Sequence, residues 1–572
     1  MATLAAATPA RAPAAHAVLP PALAAAAGLG YLAAERYTLG RFGFPLDDSF
    51  IHLQFARNLA FGHGLSYNAG EVVTGSTAPL WTALLALLFY LPGSVFVWTK
   101  LLGIALFAAG ADATRRLARE LALPPALALL AGLLVAATGP LAWAAVSGME
   151  VPLFAALSLW GMIQQVRERA DPARLPLALP ILALGALARP EGFLLFALAV
   201  VDRLLVFRRG VLEPGAEPGA KLGVEAGTGP ENAGGGLVWG RIAWRPLAVG
   251  LLLAACILAG PLLFYRLAGG SFLPTTYAAK NAAVRRLLPN LEYLYVVLGV
   301  LLPPQPYAAL AALGGGGLLV GRLATPRDRG LLPALWVVAL PLAYSLQSPI
   351  GRGLIAGNFG RYYFPLFPPL VVLGLLGLEP AARSLGRSVR LGALRLPAGL
   401  LAAALLLWPT AGNLVQWASR YQQNVANVED GDVRVARWLA PRLDRRAVLA
   451  VNDIGALKYL LPNRVIDLVG IAAPDLLAEV QREVRATGIP VQVARMAALE
   501  RRRPDYVVVF PDWFPLVASD RRFRLLQLVT VPDNITMGGD RIGVWATPWT
   551  RYPLRDAPET SAAPQPAAPV SR

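Results

Sequence analysis

Apolar runs of about 20 residues recur from Val18 to Trp408, the length an α-helix needs to cross a bilayer. Inside a membrane every backbone N–H and C=O must be satisfied within the segment, which makes helices the spanning elements. Composition agrees. The 572 residues are 56% hydrophobic and 15% charged, against about 25% charged in a typical soluble domain. The chain reads as a polytopic α-helical membrane protein.

The net charge of +17 does not mark a nucleic-acid binder, because of where the charge falls. Arginines cluster at Arg115/Arg116/Arg119, Arg167/Arg169/Arg174, Arg203/Arg208/Arg209, Arg322/Arg327/Arg329 and Arg383/Arg387/Arg390/Arg395. Each cluster lies between apolar segments, as cytoplasmic loops do under the positive-inside bias. The single cysteine, Cys256, rules out a disulfide within the chain.

These loops set a topology. Residues 1–17 read as a disordered N-terminus on the inner side, and 18–415 as the transmembrane domain, with a first span near 18–38. The outer loop 40–78 follows. The apolar piece 79–91 is too short to cross comfortably and is expected to be re-entrant or interfacial. Spans near 94–112, 122–146, 149–166, 175–188, 190–207, 246–267, 304–321, 330–347, 362–379 and 397–415 make about eleven crossings, with a second short piece at 291–303. The Gly/Pro/Glu-rich stretch 208–245 reads as a cytoplasmic linker. After Trp417 the pattern changes to short β-type runs (447–451, 464–469, 504–510) separated by helical segments, which predicts an α/β domain over 416–552. Parity puts that domain outside the membrane. Residues 553–572 read as a disordered tail.

Five polar groups fall on the outer side of this topology. The first is Asp47-Asp48 in "FPLDDSFIHLQFARNLAFGHG". Asp47 can be the N-cap of a helix over 48–60, with Asp48 in its first turn; equally, one of the two can be a general base. His52 sits one turn after Asp48 and can share its face. Arg57 can pair with either acid or with an anionic ligand. The following "FGHGLSYNAGEVVTGSTAPLW" is either a turn-rich loop or a sugar-contacting surface. The second group is Glu150, costly at a membrane-helix end unless paired or functional. Arg189-Pro190-Glu191 forms the third, readable as a local ion pair at a helix break. The fourth is "SFLPTTYAAKN", with Tyr277 and with Lys280 as a phosphate-binding cation or an interfacial anchor. The fifth is "GNFGRYYFPLFP", where Arg361 runs against the charge bias and calls for a partner beside Tyr362 and Tyr363. With three histidines, a histidine-built metal site is not expected. Asp47, Asp48 and Glu150 can hold Mg²⁺ or Ca²⁺ if any metal is used.

Taken together, "LDDSFIHLQFARNLAFGHGLSYNAGEVVTGSTAPLW", "SGMEVPLF", "LARPEG", "FLPTTYAAKN" and "GRYYFPLFP" resemble the integral-membrane glycosyltransferases of the GT-C class. The likeness is greatest to the bacterial arabinofuranosyltransferase-like branch and covers most of 40–370. It implies a GT-C-like fold carrying an extracytoplasmic α/β domain. It also implies transfer of a sugar from a polyprenyl-phosphate donor to a glycan, lipid or protein acceptor outside the bacterial cytoplasmic membrane, generally with inversion. Under the same resemblance Asp47 is the base, with Asp48 as neighbour or alternative. Glu150 is a further active-site or metal-binding residue, and Arg57, Lys280 and Arg361 are candidates for the lipid phosphate. Rival readings are a transporter or flippase, a polymerase or ligase of lipid-linked saccharides, and a non-enzymatic assembly protein.

Overall fold

The computed structural model describes residues 15–205, 207–209, 237–239, 242–272, 274, 288–301, 314–316, 318, 331–347, 360–384, 388–391 and 394–555. Most of the expected linker 208–245, most of the expected span 304–321, Tyr277, Lys280 and nearly all of both expected disordered ends lie outside the described residues. The chain divides into two units. One is Met1–Phe42 with Ser76–Gln422; the other is Gly43–Gly75 with Gln423–Arg572.

The first unit is helical. Helices occupy the apolar runs: α1 (Ala15–Leu39), α3 (Pro79–Leu88), α4 (Val95–Glu120), α5 (Pro125–Ala136), α6 (Gly139–Val146), α7 (Val151–Ala170), α8 (Ala178–Ala188), α9 (Glu191–Leu204) and α10 (Trp244–Gly269). Helices Leu291–Leu301, Leu332–Gln347 and Phe367–Ser384 follow. Among the described residues, α1, α4 and α10 are long and apolar enough to cross a membrane; α5 and α6, bent by 54° at the break between them, form either a broken fourth span or a re-entrant loop. The shorter apolar helices include α3, in the segment whose length marks it out in the sequence, and α8. Helix α10 leaves Val249, Leu251, Leu252, Leu253, Leu263 and Leu267 exposed, as a lipid-facing surface requires. The 3-10 helix Arg361–Leu366 and two short antiparallel pairs, β1 (Phe207–Arg209) with β2 (Leu237–Trp239) and β3 (Ser388–Leu391) with β4 (Leu394–Pro397), also precede Ala398.

Charges inside this unit are matched rather than avoided. Lys100 of α4 donates to both Glu35 oxygens at 3.1 and 2.8 Å, with both side chains fully buried, and Tyr421 adds its hydroxyl to the Glu35 carboxylate at 3.0 Å. An unpaired charge there would cost several kcal/mol; paired and hydrogen-bonded, the triad joins segments far apart in sequence.

The second unit is built on a mixed sheet of β5 (Leu449–Val451), β6 (Val465–Asp467), β7 (Tyr506–Val509), β8 (Arg524–Thr530) and β9 (Arg541–Ala546), in the order β6-β5-β7-β9-β8. Strand β5 pairs in parallel with β6 and β7, whereas β9 is antiparallel to β7 and β8. Alternate residues feed two cores. Leu449, Val451, Val508 and Val544 pack with Val435, Leu439 and Leu457 on one face. On the other, Ala450, Ile466, Val507 and Trp545 pack with Leu476, Val480, Ala494 and Leu499. The period-2 alternation of a strand buried on both faces explains the continuous apolar runs in the sequence.

The segment Gly43–Gly75, grouped on sequence grounds with the membrane domain, belongs to this sheet unit. Its helix α2 (Asp47–Ala60) sends Phe55, and its loop sends Tyr67, into the first core. The Asn68 amide donates to the Val465 carbonyl and accepts from the Val465 amide, both at 3.0 Å, so it mimics one more strand residue at the edge of β6. Tyr67 donates to the Ile454 carbonyl. The "GHGLSYN" motif, open on sequence alone between a turn-rich loop and a sugar-contacting surface, thus uses its tyrosine and asparagine to dock on the sheet. Asn68→Ala should lower stability by about 1–3 kcal/mol, because two buried-edge backbone groups lose their partner. An unchanged thermal midpoint of the purified protein would contradict this.

Candidate active site

The acid pair stands at the head of α2. The residue capping that helix is Leu46, with no side-chain cap, and both Asp47 and Asp48 lie in the first turn. Asp47 is therefore not the N-cap that its sequence position suggests. Its carboxylate turns instead to a remote loop: one oxygen accepts the Gly455 amide and the other the Ala456 amide, each at 2.6 Å. Gly455 is required for this approach, since a Cβ there would lie 2.0 Å from the Asp47 carbonyl oxygen.

Two further acids come to the same place. Asp453 follows β5 by two residues, at the carboxyl end of a parallel strand, where α/β sheets commonly place ligand-binding groups. Asp432 comes from the π-helical turn Glu429–Val433, where Gly431 departs from helical geometry. Carboxylate oxygens of Asp47, Asp432 and Asp453 lie within 4.8 Å of one another. Asp432 is 1% exposed, no N–H group donates to either of its oxygens, and its side chain meets that of Asp453.

Crowding and burial show in the acidities. Burial pushes Asp47 up to about 6, an effect offset in part by the Ala456 and Gly455 amides and reinforced by Asp48. Burial holds the Asp432 carboxyl well above the usual range, with Asp453 and Asp47 adding to it. Burial, then Asp47 and Asp48, does the same for Asp453. Such a cluster can accept a proton near neutrality or bind a cation. Burial raises Asp467, at the end of β6, as well, but its oxygens take the Val469, Gly470 and Ala472 amides at 2.8, 3.0 and 2.6 Å, so it anchors a loop.

Of the other residues singled out in this segment, Arg57 donates to the Tyr459 carbonyl at 2.8 Å and to Gln54, and lies 4.7 Å over the Tyr459 ring. Its guanidinium is thus engaged by the fold. His52 is buried within α2.

In the helical unit, Arg189 is the centre of a second polar cluster. It bonds Glu150 at 2.6 Å and Glu191 at 2.7 Å and stacks over Tyr362 at 5.2 Å. Arg361 stacks on the same ring at 5.4 Å, which supplies a partner for an arginine that runs against the charge bias. Tyr344 donates to Glu191 at 2.5 Å. The local Arg189–Glu191 ion pair is present, and the structure adds Glu150 to it. Sequence reasoning did not single out Asp432, Asp453 or Tyr344. For Asp453 a cue existed, an acid just beyond the buried run 447–451; Asp432 offers none, because its neighbours are distant in sequence.

The chain, with its helical unit and its mixed-sheet unit, is similar to ArnT from Cupriavidus metallidurans bound to undecaprenyl phosphate. The match has a TM-score of 0.56 and 13% identity, over 94% of this chain and 98% of that one. This chain has the GT-C fold. Apo ArnT from the same organism matches this GT-C chain at a TM-score of 0.51 and 14% identity, over 92% and 97% of the two chains. A terminal β-(1→2)-arabinofuranosyltransferase of Mycobacterium tuberculosis is 34% identical over 179 residues, 28% of this chain and 28% of that protein's own length. Residues 416–552 match a domain of unknown function, DUF8728.

Arg189→Met should destabilise the helical unit by about 3–5 kcal/mol, since it strands two buried carboxylates. Arg189→Lys keeps the charge but loses the forked geometry and should fall between. A thermal midpoint unmoved by Arg189→Met would show that the cluster is solvated.

Proposed function

We propose that this protein is a glycosyltransferase. It moves a sugar from a polyprenyl-phosphate donor to a hydroxyl acceptor (glycan, lipid or protein) outside the bacterial cytoplasmic membrane. The observation that carries the reading is the pairing of the GT-C fold with a half-buried, proton-accepting carboxylate at the head of α2. Support comes from a relative of the same fold that binds undecaprenyl phosphate and from partial identity to an arabinofuranosyltransferase.

In this reading the acceptor oxygen attacks the anomeric carbon as the Asp47–Asp48 pair takes its proton. The bond from that carbon to the phosphate oxygen breaks, and its electrons leave with the polyprenyl phosphate. A phosphate is already a competent leaving group, so no strong general acid is needed. Its developing charge is met by cationic side chains, with Arg361 a candidate by resemblance, whereas Arg189 is committed to Glu150 and Glu191; attack opposite the leaving group inverts the anomeric centre. Lys280 and Tyr277 are further donor-site candidates, and His52 lines the acid-bearing helix. Arg57 is assigned to the fold rather than to the substrate, because its guanidinium is already engaged.

The test is transfer of labelled sugar by the purified protein, beside Asp47→Asn and Asp48→Asn. At least one variant should lose about 10²–10⁴-fold in turnover, the range for removing a general base, while still eluting as a folded monodisperse species. Full activity in both would remove the pair from the chemistry.

A further inference from the structure

Asp432 presents an electrostatic problem that the transfer reaction does not solve. It is 1% exposed, no amide or other N–H group donates to either of its oxygens, and the side chain that meets it is another acid, Asp453. Buried acceptors of this kind are almost always satisfied, and buried charges are paired or coordinate metals. The comparison with Asp467 is instructive. That residue is equally buried in the same unit, and the fold supplies it with three backbone amides. For Asp432 the fold supplies other acids: the influences on Asp432 come from Asp453 and Asp47, and those on Asp453 from Asp47, Asp48 and Asp467.

We propose that Asp47, Asp432 and Asp453 form a binding site for a hard divalent cation, Mg²⁺ or Ca²⁺. Their oxygens fall within 4.8 Å of one another. That spacing suits ligands on opposite sides of an ion with metal–oxygen distances of about 2.0–2.6 Å. All three donors are carboxylates, which selects oxygen-seeking ions over zinc or copper. They come from three separate segments: the head of α2, the turn Glu429–Val433 and the loop after β5. Each Asp47 oxygen takes one backbone amide, which leaves a lone pair on each for a cation. The ion would neutralise a cluster that otherwise has to hold protons, and would tie the loop after β5 to the turn Glu429–Val433. This ligand set differs from the Asp47, Asp48 and Glu150 set suggested by sequence; Glu150 spends its carboxylate on Arg189.

The experiment is Mn²⁺ binding to the full-length, detergent-purified protein, followed by the loss of the free-ion electron paramagnetic resonance signal. The expected result is one Mn²⁺ per chain, displaced by Mg²⁺ or Ca²⁺, with at least a tenfold weaker affinity in Asp432→Asn and in Asp453→Asn. Both replacements keep the side-chain shape, and folding is checked by elution profile. Absence of wild-type binding at millimolar Mn²⁺ would overturn the proposal, as would variants that bind as tightly as the wild type. Binding is read without turnover, so failure here and failure of the transfer reaction are separate results.

Discussion

The second unit depends on one carboxylate receiving two backbone amides. Asp47 lies more than 400 residues before Gly455 and Ala456, yet its oxygens hold both at 2.6 Å. Those bonds fix α2 against the turn that follows β5, and Gly455 permits the approach because a Cβ would collide with Asp47. Once α2 is fixed, Phe55 and Tyr67 complete the core on one face of the sheet, and Asn68 closes the edge of β6. The same placement forces Asp47 against Asp432 and Asp453. The constraint that assembles the unit therefore also makes its acids chemically unusual.

Buried charge is handled differently in the two units. In the helical unit, Glu35 meets Lys100 and Tyr421, and Arg189 meets Glu150 and Glu191. Opposite charges and hydrogen bonds together offset the desolvation cost of each group. In the sheet unit, Asp467 accepts three backbone amides, whereas Asp432 and Asp453 meet each other and further carboxylates. Fully matched clusters contribute to a unique fold; clusters of like charge are poised for protons or cations.

Much of this was legible in the residues themselves. Apolar runs located the helices, because hydropathy over 20 residues directly reflects the environment. The pair of acids, the Arg189–Glu191 ion pair and the parallel strands β5, β6 and β7 were visible as local patterns. Long-range partners were not. Local spacing made Asp47 an N-cap, but the carboxylate found better donors in a loop whose proximity no local pattern encodes. Arg57 read as ligand-binding because its partner, the Tyr459 carbonyl, is equally remote. Strands β8 and β9 escaped notice because β8 alternates exposed and buried positions among charged residues, and its pairing with β9 is what makes it a strand.

The central claim is that this GT-C fold cleaves a polyprenyl-phosphate sugar. It is tested most directly by following both products when the purified protein is given a donor labelled in the sugar. The account predicts that labelled sugar enters the acceptor and free polyprenyl phosphate appears in equal amount, with inverted configuration at the anomeric carbon. Donor that moves between leaflets with its sugar–phosphate bond intact would contradict it.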